Sequence, residues 1–273
     1  MKKIFISGAS GYIGRNLLRY LSKKNFKVFC LTTKKRYNVK NSKWIVGNLN
    51  GNYEEYLKES DLLIHCAVAG VYKKTNKKEL NKVNNHDSIK FLKMAYKSNC
   101  RNWIILGSSY EYGYVKNKAV SAVSSKLKPV DNYGISKVNF YKNLKKLNFR
   151  KNCKILYLRV FHVYGGDEPK TRMYPSLLKS IKYNQNFKMT DGQEIRDFIN
   201  INHAVKKIYK GIKMFKKRSF FITKHVGSGK KISIMNFAKK IWKQHNAKSE
   251  ILFGLIKKQN NYHSLYSDKK SLI

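Results

Sequence analysis

A chain of 273 residues, 42% hydrophobic and 13% aromatic, has enough apolar material to bury a core, which excludes a disordered polymer. Its formal charge of +43 points first to nucleic acid or an anionic membrane, but lysines are scattered through every segment and far outnumber arginines. No concentrated basic stripe results, so nucleic acid is discounted as a partner, while acidic small molecules should be drawn to the surface. No stretch is long enough to span a bilayer, so no membrane insertion is expected.

The first element is the apolar run Ile4-Phe5-Ile6, followed by Gly8, Gly11 and Gly14 and then an amphipathic segment. This order predicts a strand, a phosphate loop and a helix, with the helix N-terminus facing a pyrophosphate. The helix is expected over Tyr12 to Lys24, with Ile13, Leu17, Leu18 and Leu21 on one face. Lys27 to Leu31 reads as the second strand, and Thr32, Thr33, Lys34, Lys35 and Arg36 follow it. An NAD-binding chain usually carries an acidic residue there to grip the ribose 2′-hydroxyl. Hydroxyls and cations suit a 2′-phosphate instead, so NADP is the expected cofactor, with Thr32, Lys34 and Arg36 as its contacts and NAD as the second candidate. Any loop in so lysine-rich a chain would also look this way.

Trp44 to Gly47, Asp61 to His65, Asn102 to Leu106 and Lys154 to Val160 read as further strands, and Glu79 to Ser98 as a long helix. The fifth strand delivers Gly107-Ser108-Ser109-Tyr110-Glu111-Tyr112-Gly113. A helix then begins at Tyr133, whose spacing places Tyr133 and Lys137 on one face. Tyr-x-x-x-Lys alone carries no information here, since it recurs at Tyr20, Tyr112, Tyr114, Tyr141, Tyr209 and Tyr266. Tyr133 is selected by its place after the serine-rich strand end. Beyond Asp167 the elements shorten; Val205 to Phe215 reads as a helix, Phe220 to Thr223 as a strand returning to the main sheet, and Ile234 to Gln244 as a helix. Cys30, Cys66, Cys100 and Cys153 lie singly at or beside apolar runs, as reduced thiols of a cytoplasmic protein would. The alternation predicts an α/β, Rossmann-type doubly wound parallel sheet with a smaller C-terminal substrate-binding lobe.

The glycine loop, the Ser108 to Gly113 segment, Tyr133 with Lys137, and Lys188-Met-Thr-Asp-Gly-Gln-Glu-Ile-Arg196-Asp-Phe resemble the extended short-chain dehydrogenase/reductase (NAD-dependent epimerase/dehydratase) family. Within it the chain looks most like nucleotide-sugar 4-ketoreductases of the CDP-abequose synthase kind. The resemblance implies a Rossmann domain over residues 1–165, with 204–226 returning to it, and a sugar-nucleotide lobe over 166–273. The C-terminus is short by the family's standard. Gly8, Gly11, Tyr12, Ile13, Gly14, Asn48, Leu49, Cys66 and Ala67 are implied to line the cofactor, together with Tyr133 and Lys137. Ser108 is implied to polarise the reacting sugar oxygen and Tyr133 to move its proton, while Lys137 lowers the phenol from its usual value of about 10 and holds the ribose. Ser109 and His162 are the implied neighbours of the sugar, His162 standing where the family usually has Asn, either as a specificity residue or as a tolerated substitute. Arg196 is implied to hold the diphosphate, a salt bridge to Asp197 being the alternative. Asn84 occupies the place of a family Asn that orders the site, or is a solvated helix residue.

No Asp-Glu pair follows Ser108, which argues against a 4,6-dehydratase, and Tyr110 and Asp167 replace the Cys and His of fucose-type epimerase/reductases. The expected reaction is therefore reduction of a 4-keto-6-deoxy nucleotide-diphosphate sugar by NADPH, as in surface-polysaccharide sugar biosynthesis. The alternatives are an NAD-dependent 4-epimerase or a non-catalytic cofactor- or RNA-binding module. A homodimer through the Glu79 and Tyr133 helices follows from the resemblance alone.

Overall fold

The computed structural model describes residues 2–34, 39–70, 75–147, 152–216, 220–257 and 264–273. Strand β1 (Lys3–Ser7) enters the glycine loop, helix α1 (Tyr12–Ser22) leaves it, and β2 (Lys27–Thr32) returns beside β1. Then follow β3 (Ser42–Val46), α2 (Glu54–Lys58), β4 (Leu62–His65), α3 (Lys77–Asn81) and α4 (Ser88–Lys97). The expected long helix is α3 plus α4, joined by one π-helical turn over Lys82–Asp87. Next come β5 (Asn102–Ser108), a 3-10 turn over Ser109–Tyr112, β6 (Lys118–Val120), α5 (Asn132–Lys146) and β7 (Lys154–Val160).

The C-terminal part has shorter pieces: β8 (His162–Tyr164), α6 (Met173–Lys182), β9 (Phe187–Lys188), β10 (Ile195–Arg196) and β11 (Phe198–Asn200). They lead into α7 (Ile201–Ile212), β12 (Phe220–Val226), β13 (Ile232–Ser233), α8 (Ile234–Gln244), β14 (Ile251–Leu252) and β15 (Leu265–Ser267).

Seven strands form one sheet in the order β12-β7-β5-β4-β1-β2-β3, with every neighbouring pair parallel. A parallel sheet is covered on both faces, which is why its central strands read as continuous apolar runs rather than alternating ones. Alternate residues of β1 serve the two faces: Ile4 and Ile6 pack with Leu17, Leu21 and Ile208 under α1 and α7, whereas Phe5 packs with Phe91, Trp103 and Phe140 under α4 and α5. Fully buried aromatic and branched side chains of this kind each contribute about 1.5–3 kcal/mol, so the sheet half is a rigid base for whatever its strand ends carry. No helix among the described residues is long and apolar enough to cross a membrane.

Several boundaries differ from the sequence reading. The third strand runs two residues earlier than Trp44, because Ser42 and Lys43 pair with Val28 and Phe29 at the half-exposed sheet edge, where hydropathy gives little guide. Helix α7 begins at Ile201 rather than Val205, since the Asn200 side chain accepts from the Asn202 amide at 2.9 Å and caps it there. Helix α2 and the β6–β15 pair are too short to leave a periodic signal.

Candidate active site

The loop after β1 has the shape of an anion cradle. Gly8 has φ +71°, and a Cβ there would lie 2.6 Å from the backbone of Ala67, so only glycine fits between β1 and the end of β4. The Gly11 amide donates to the Gly8 carbonyl at 3.0 Å, and Gly11 then caps α1 with no side-chain acceptor and no acid in the first turn. The first-turn amides and the positive helix end thus point at an open backbone surface, which fits a dinucleotide pyrophosphate. Tyr12 and Gly14 are buried and Ile13 half-buried, and the Tyr12 hydroxyl donates to the Gly165 carbonyl at 2.6 Å. Arg15 and Asn16 continue the seam with bonds to Asp167, which ties the loop to the start of the C-terminal part.

At the end of β2, Thr32 is buried and its hydroxyl donates to Ser10 Oγ at 2.7 Å, while Lys34 is exposed. Arg36 lies outside the described residues. Asn48 is exposed with its Oδ1 accepting from the Asn50 amide at 2.9 Å, and Leu49 beside it is buried. Cys66 and Ala67 are half-buried against Gly8, and burial pushes the Cys66 thiol up to about 12, so it stays protonated. His65 is held between Ser7 Oγ at 2.7 Å and Ser88 Oγ at 3.1 Å. Burial, with the Lys137 ammonium nearby, pulls its imidazole down to about 3, so it is a neutral structural group.

The β5 end and the start of α5 meet one another. Ser108 and Ser109 are buried at the turn, and Ser108 Oγ accepts from the Tyr110 amide at 3.2 Å in a capping box completed by Glu111. Helix α5 begins because Asp131 Oδ1 accepts from the Gly134 amide at 2.7 Å. This cap sets the half-buried Tyr133 edge-on to Tyr110, with centroids 5.9 Å apart. One turn on, Lys137 is buried and its Nζ donates to the Leu106 carbonyl of β5 at 2.8 Å. Burial pushes this ammonium down to about 8, against the opposing pull of Glu111 and Cys66. Asn84, on the π-helical turn, is buried rather than solvated: it accepts from the Ala69 amide at 2.7 Å and donates to Ser136 Oγ at 3.0 Å. Ser136 in turn donates to the Tyr133 carbonyl at 2.7 Å, so the π turn buttresses the start of α5.

The small lobe presents Arg196 and His162 on neighbouring strand pairs. The Asp197 carboxylate is buried and taken up by the Ser228 amide at 2.6 Å, the Ser228 hydroxyl at 2.7 Å, the Gly229 amide at 2.9 Å and the Ser267 amide at 3.2 Å. Asp197 is thus a hub for three backbone segments, which leaves the adjacent Arg196 directed elsewhere. Burial lowers the Arg196 guanidinium, while Tyr110 and Glu194 favour its charge, which places it near the Tyr110 turn. The His162 ring stands edge-on to Phe198 at 5.2 Å, and its amide donates to the Asp197 carbonyl at 3.0 Å. Surface cavities of about 360 Å³ beside Asn81 and Asn139, and about 550 Å³ beside Trp242 and Phe253, border neither the glycine loop nor Ser108.

Two residues escaped the sequence reading. Glu111 and Arg159 form a buried ion pair at 2.6 Å directly behind Ser108. The signal was present: Arg159 sits inside the apolar run Leu156 to Phe161, and a buried arginine needs an acid in a chain with only 15 acidic residues.

A parallel sheet in this order, a glycine loop shaped to take an anion, and a Ser at the end of β5 with a Tyr and a Lys on the helix packed beside it together define a Rossmann-type dinucleotide-binding protein of the short-chain dehydrogenase/reductase class. The chain belongs to the NAD dependent epimerase/dehydratase family, whose sequence model matches residues 4–220. It is 23% identical to CDP-abequose synthase of Salmonella typhimurium, over 94% of this chain and 86% of that protein. It is likewise 23% identical to dTDP-6-deoxy-L-talose 4-dehydrogenase (NAD(+)) of Aggregatibacter actinomycetemcomitans, over 90% of this chain and 91% of that one. The fold matches that of MoeE5 in complex with UDP-glucuronic acid and NAD, with a TM-score of 0.85, 18% identity and coverage of 98% of this chain and 91% of that one.

Proposed function

We propose that the protein is a nucleotide-sugar oxidoreductase that reduces a 4-keto-6-deoxy sugar nucleotide, with NADPH as the reductant. The observation that carries this reading is the convergence of Ser108, Tyr133 and Lys137, with the Lys137 ammonium 2.8 Å from the β5 backbone and α5 capped so that Tyr133 faces the Ser109 to Tyr112 turn. Residues 1–165, joined by 204–226, would hold the dinucleotide, and 166–273 the sugar nucleotide.

The Gly8 to Gly14 loop and the α1 N-terminus would take the pyrophosphate, and Ala67 and Leu49 would wall the nucleoside. When bound, the dinucleotide exchanges a hydride with the sugar carbon. Ser108 donates a hydrogen bond to the sugar carbonyl oxygen and Tyr133 delivers the proton that oxygen needs. Lys137, charged below about pH 8, stabilises the phenolate that Tyr133 becomes. Arg196 offers a planar fork to the diphosphate, since Asp197 is occupied by backbone amides. His162 sits beside Arg196's strand and would select the sugar. The choice of NADP rests on the absence of an acid at the end of β2 and on exposed Lys34.

An NAD-retaining 4-epimerase is the second reading, favoured by the likeness of the fold to UDP-glucuronic acid 4-epimerase from Bacillus cereus in complex with NAD. The deciding experiment follows NADPH and NADH oxidation with a panel of 4-keto-6-deoxy nucleotide sugars. Turnover with NADPH supports the reductase; absence of turnover, with stoichiometric NAD retained on the purified protein, refutes it.

A further inference from the structure

We propose that Glu111 is a positioning residue of this site, its buried carboxylate fixing the Ser108 end of β5 and balancing the charge of Lys137. The inference rests on the reading of Ser108 and Lys137 as working groups, but its geometry stands by itself. Glu111 is fully buried, and each oxygen is committed: Oε1 accepts from the Ser108 amide at 2.8 Å and the Tyr157 hydroxyl at 2.7 Å, and Oε2 from Arg159 Nε at 2.6 Å. The fit is tight. A Cβ at Gly107 would lie 2.5 Å from Glu111 Oε1 and 2.3 Å from the Tyr157 ring, so the strand carries glycine where the carboxylate passes.

The consequence is that Ser108 is clamped through its amide by Glu111 while its hydroxyl caps the turn, which leaves the serine little freedom to drift from the reacting atom. Small misplacements of such a group are costly to the rate. The arginine that neutralises Glu111 is itself anchored, with Nη1 donating to the Tyr112 hydroxyl at 3.1 Å, and that hydroxyl meets His225 Nε2 at 2.6 Å. His225 Nδ1 lies 2.8 Å from Ser267 Oγ on β15, so the clamp is buttressed by the C-terminal segment.

The groups that face Lys137 are Glu111 from the turn and Cys66 and His65 from the end of β4, and Tyr133 precedes it by one turn of α5. Those that face Glu111 are Arg159 and Tyr157 from β7, Tyr112 from its own turn, and Lys137 itself. Burial opposes the charge of both cations, and Glu111 is the carboxylate that offsets it for each.

The test uses the full chain, and its first readout does not require substrate. The pH midpoint for labelling Lys137 with a small amine reagent, read by mass spectrometry, is compared in wild type, Arg159→Met and the charge-balanced Glu111→Gln/Arg159→Met protein. The double variant removes both buried charges together and so is the one expected to fold. Its midpoint should fall by about one pH unit, whereas Arg159→Met, which leaves Glu111 without its partner, should raise it. In the double variant kcat should also drop about 10-fold or more, with KM within about twofold of wild type. A merely structural Glu111 would lower thermal stability without moving the midpoint. Wild-type midpoint and kcat in the folded double variant overturn the proposal. A shifted midpoint in a protein inactive on every sugar nucleotide would instead count against the functional reading and uphold this one.

Discussion

Glu111 and Asp197 are both buried carboxylates, yet they serve opposite purposes in the two halves of the molecule. Glu111 lies at the end of a seven-stranded parallel sheet whose ladders and apolar faces already fix the backbone, so its charge is used against cations. Asp197 lies among strands of two and three residues, where no ladder is long enough to hold register, and it stitches the Ser228 and Gly229 turn and β15 to β10 and β11 by hydrogen bonds. The sheet half therefore tolerates polar chemistry at its strand ends, whereas the small lobe, beside its two apolar clusters, uses a buried carboxylate to tie its short strands together.

That contrast can be broken by substitution, the sheet half failing chemically and the small lobe structurally. Tyr133→Phe removes only a proton donor from a rigid frame: kcat should fall about 10²–10⁴-fold, with the thermal midpoint and dinucleotide binding unchanged, as calorimetry and fluorescence titration would show. Asp197→Ala should instead cost about 3 kcal/mol of stability in denaturant unfolding, because several buried amides lose their acceptor at once. Retained stability in that variant would show that the small lobe has another organising element. Arg196→Ala should raise KM for the sugar nucleotide about 10-fold while leaving the unfolding midpoint within error, if the guanidinium holds the diphosphate as proposed, since Asp197 is already taken up by backbone amides.

Two pH effects sharpen the comparison further. The Lys137 ammonium is pushed down to about 8, so if the charged form is required, kcat should decline about tenfold per pH unit above that value. His65 and His225 are both held near 3 by burial, below the 6.5 of the unfolded chain. The unfolded state binds the extra protons in that window, so stability is lost as pH falls through 6.5, by about 1 kcal/mol per histidine by about pH 5.5. Urea titrations at several pH values measure this slope directly.

The same contrast explains what could be read from the chain. The glycine loop, β7 and the Tyr133 helix are local patterns in which strand, turn and helix follow one another within a short span, and each is where the residues place it. The long helix was legible as well, but its π turn was not, since nothing local marks the extra residue that turns Asn84 inward. Asn84 shows the cost: on pattern alone it reads equally as solvated, and only the Ala69 and Ser136 partners reveal its burial. Glu111, Arg159, Tyr112, His225 and Ser267 meet across separations of 42 to 113 positions, which no periodicity encodes. The lobe around Asp197 was legible as a run of short elements and as a family-like Arg196-Asp197 segment, not as an assembly, because its strands pair with segments far along the chain.

The most direct test of the account is the fate of the transferred hydrogen. With NADPH deuterated on the reactive face and a 4-keto-6-deoxy nucleotide sugar, the proposed reductase places deuterium at C4 of the product and releases NADP, and Tyr133→Phe abolishes the transfer. A sugar inverted at C4 without deuterium, or a protein that leaves the cofactor's label untouched with every sugar offered, would contradict it.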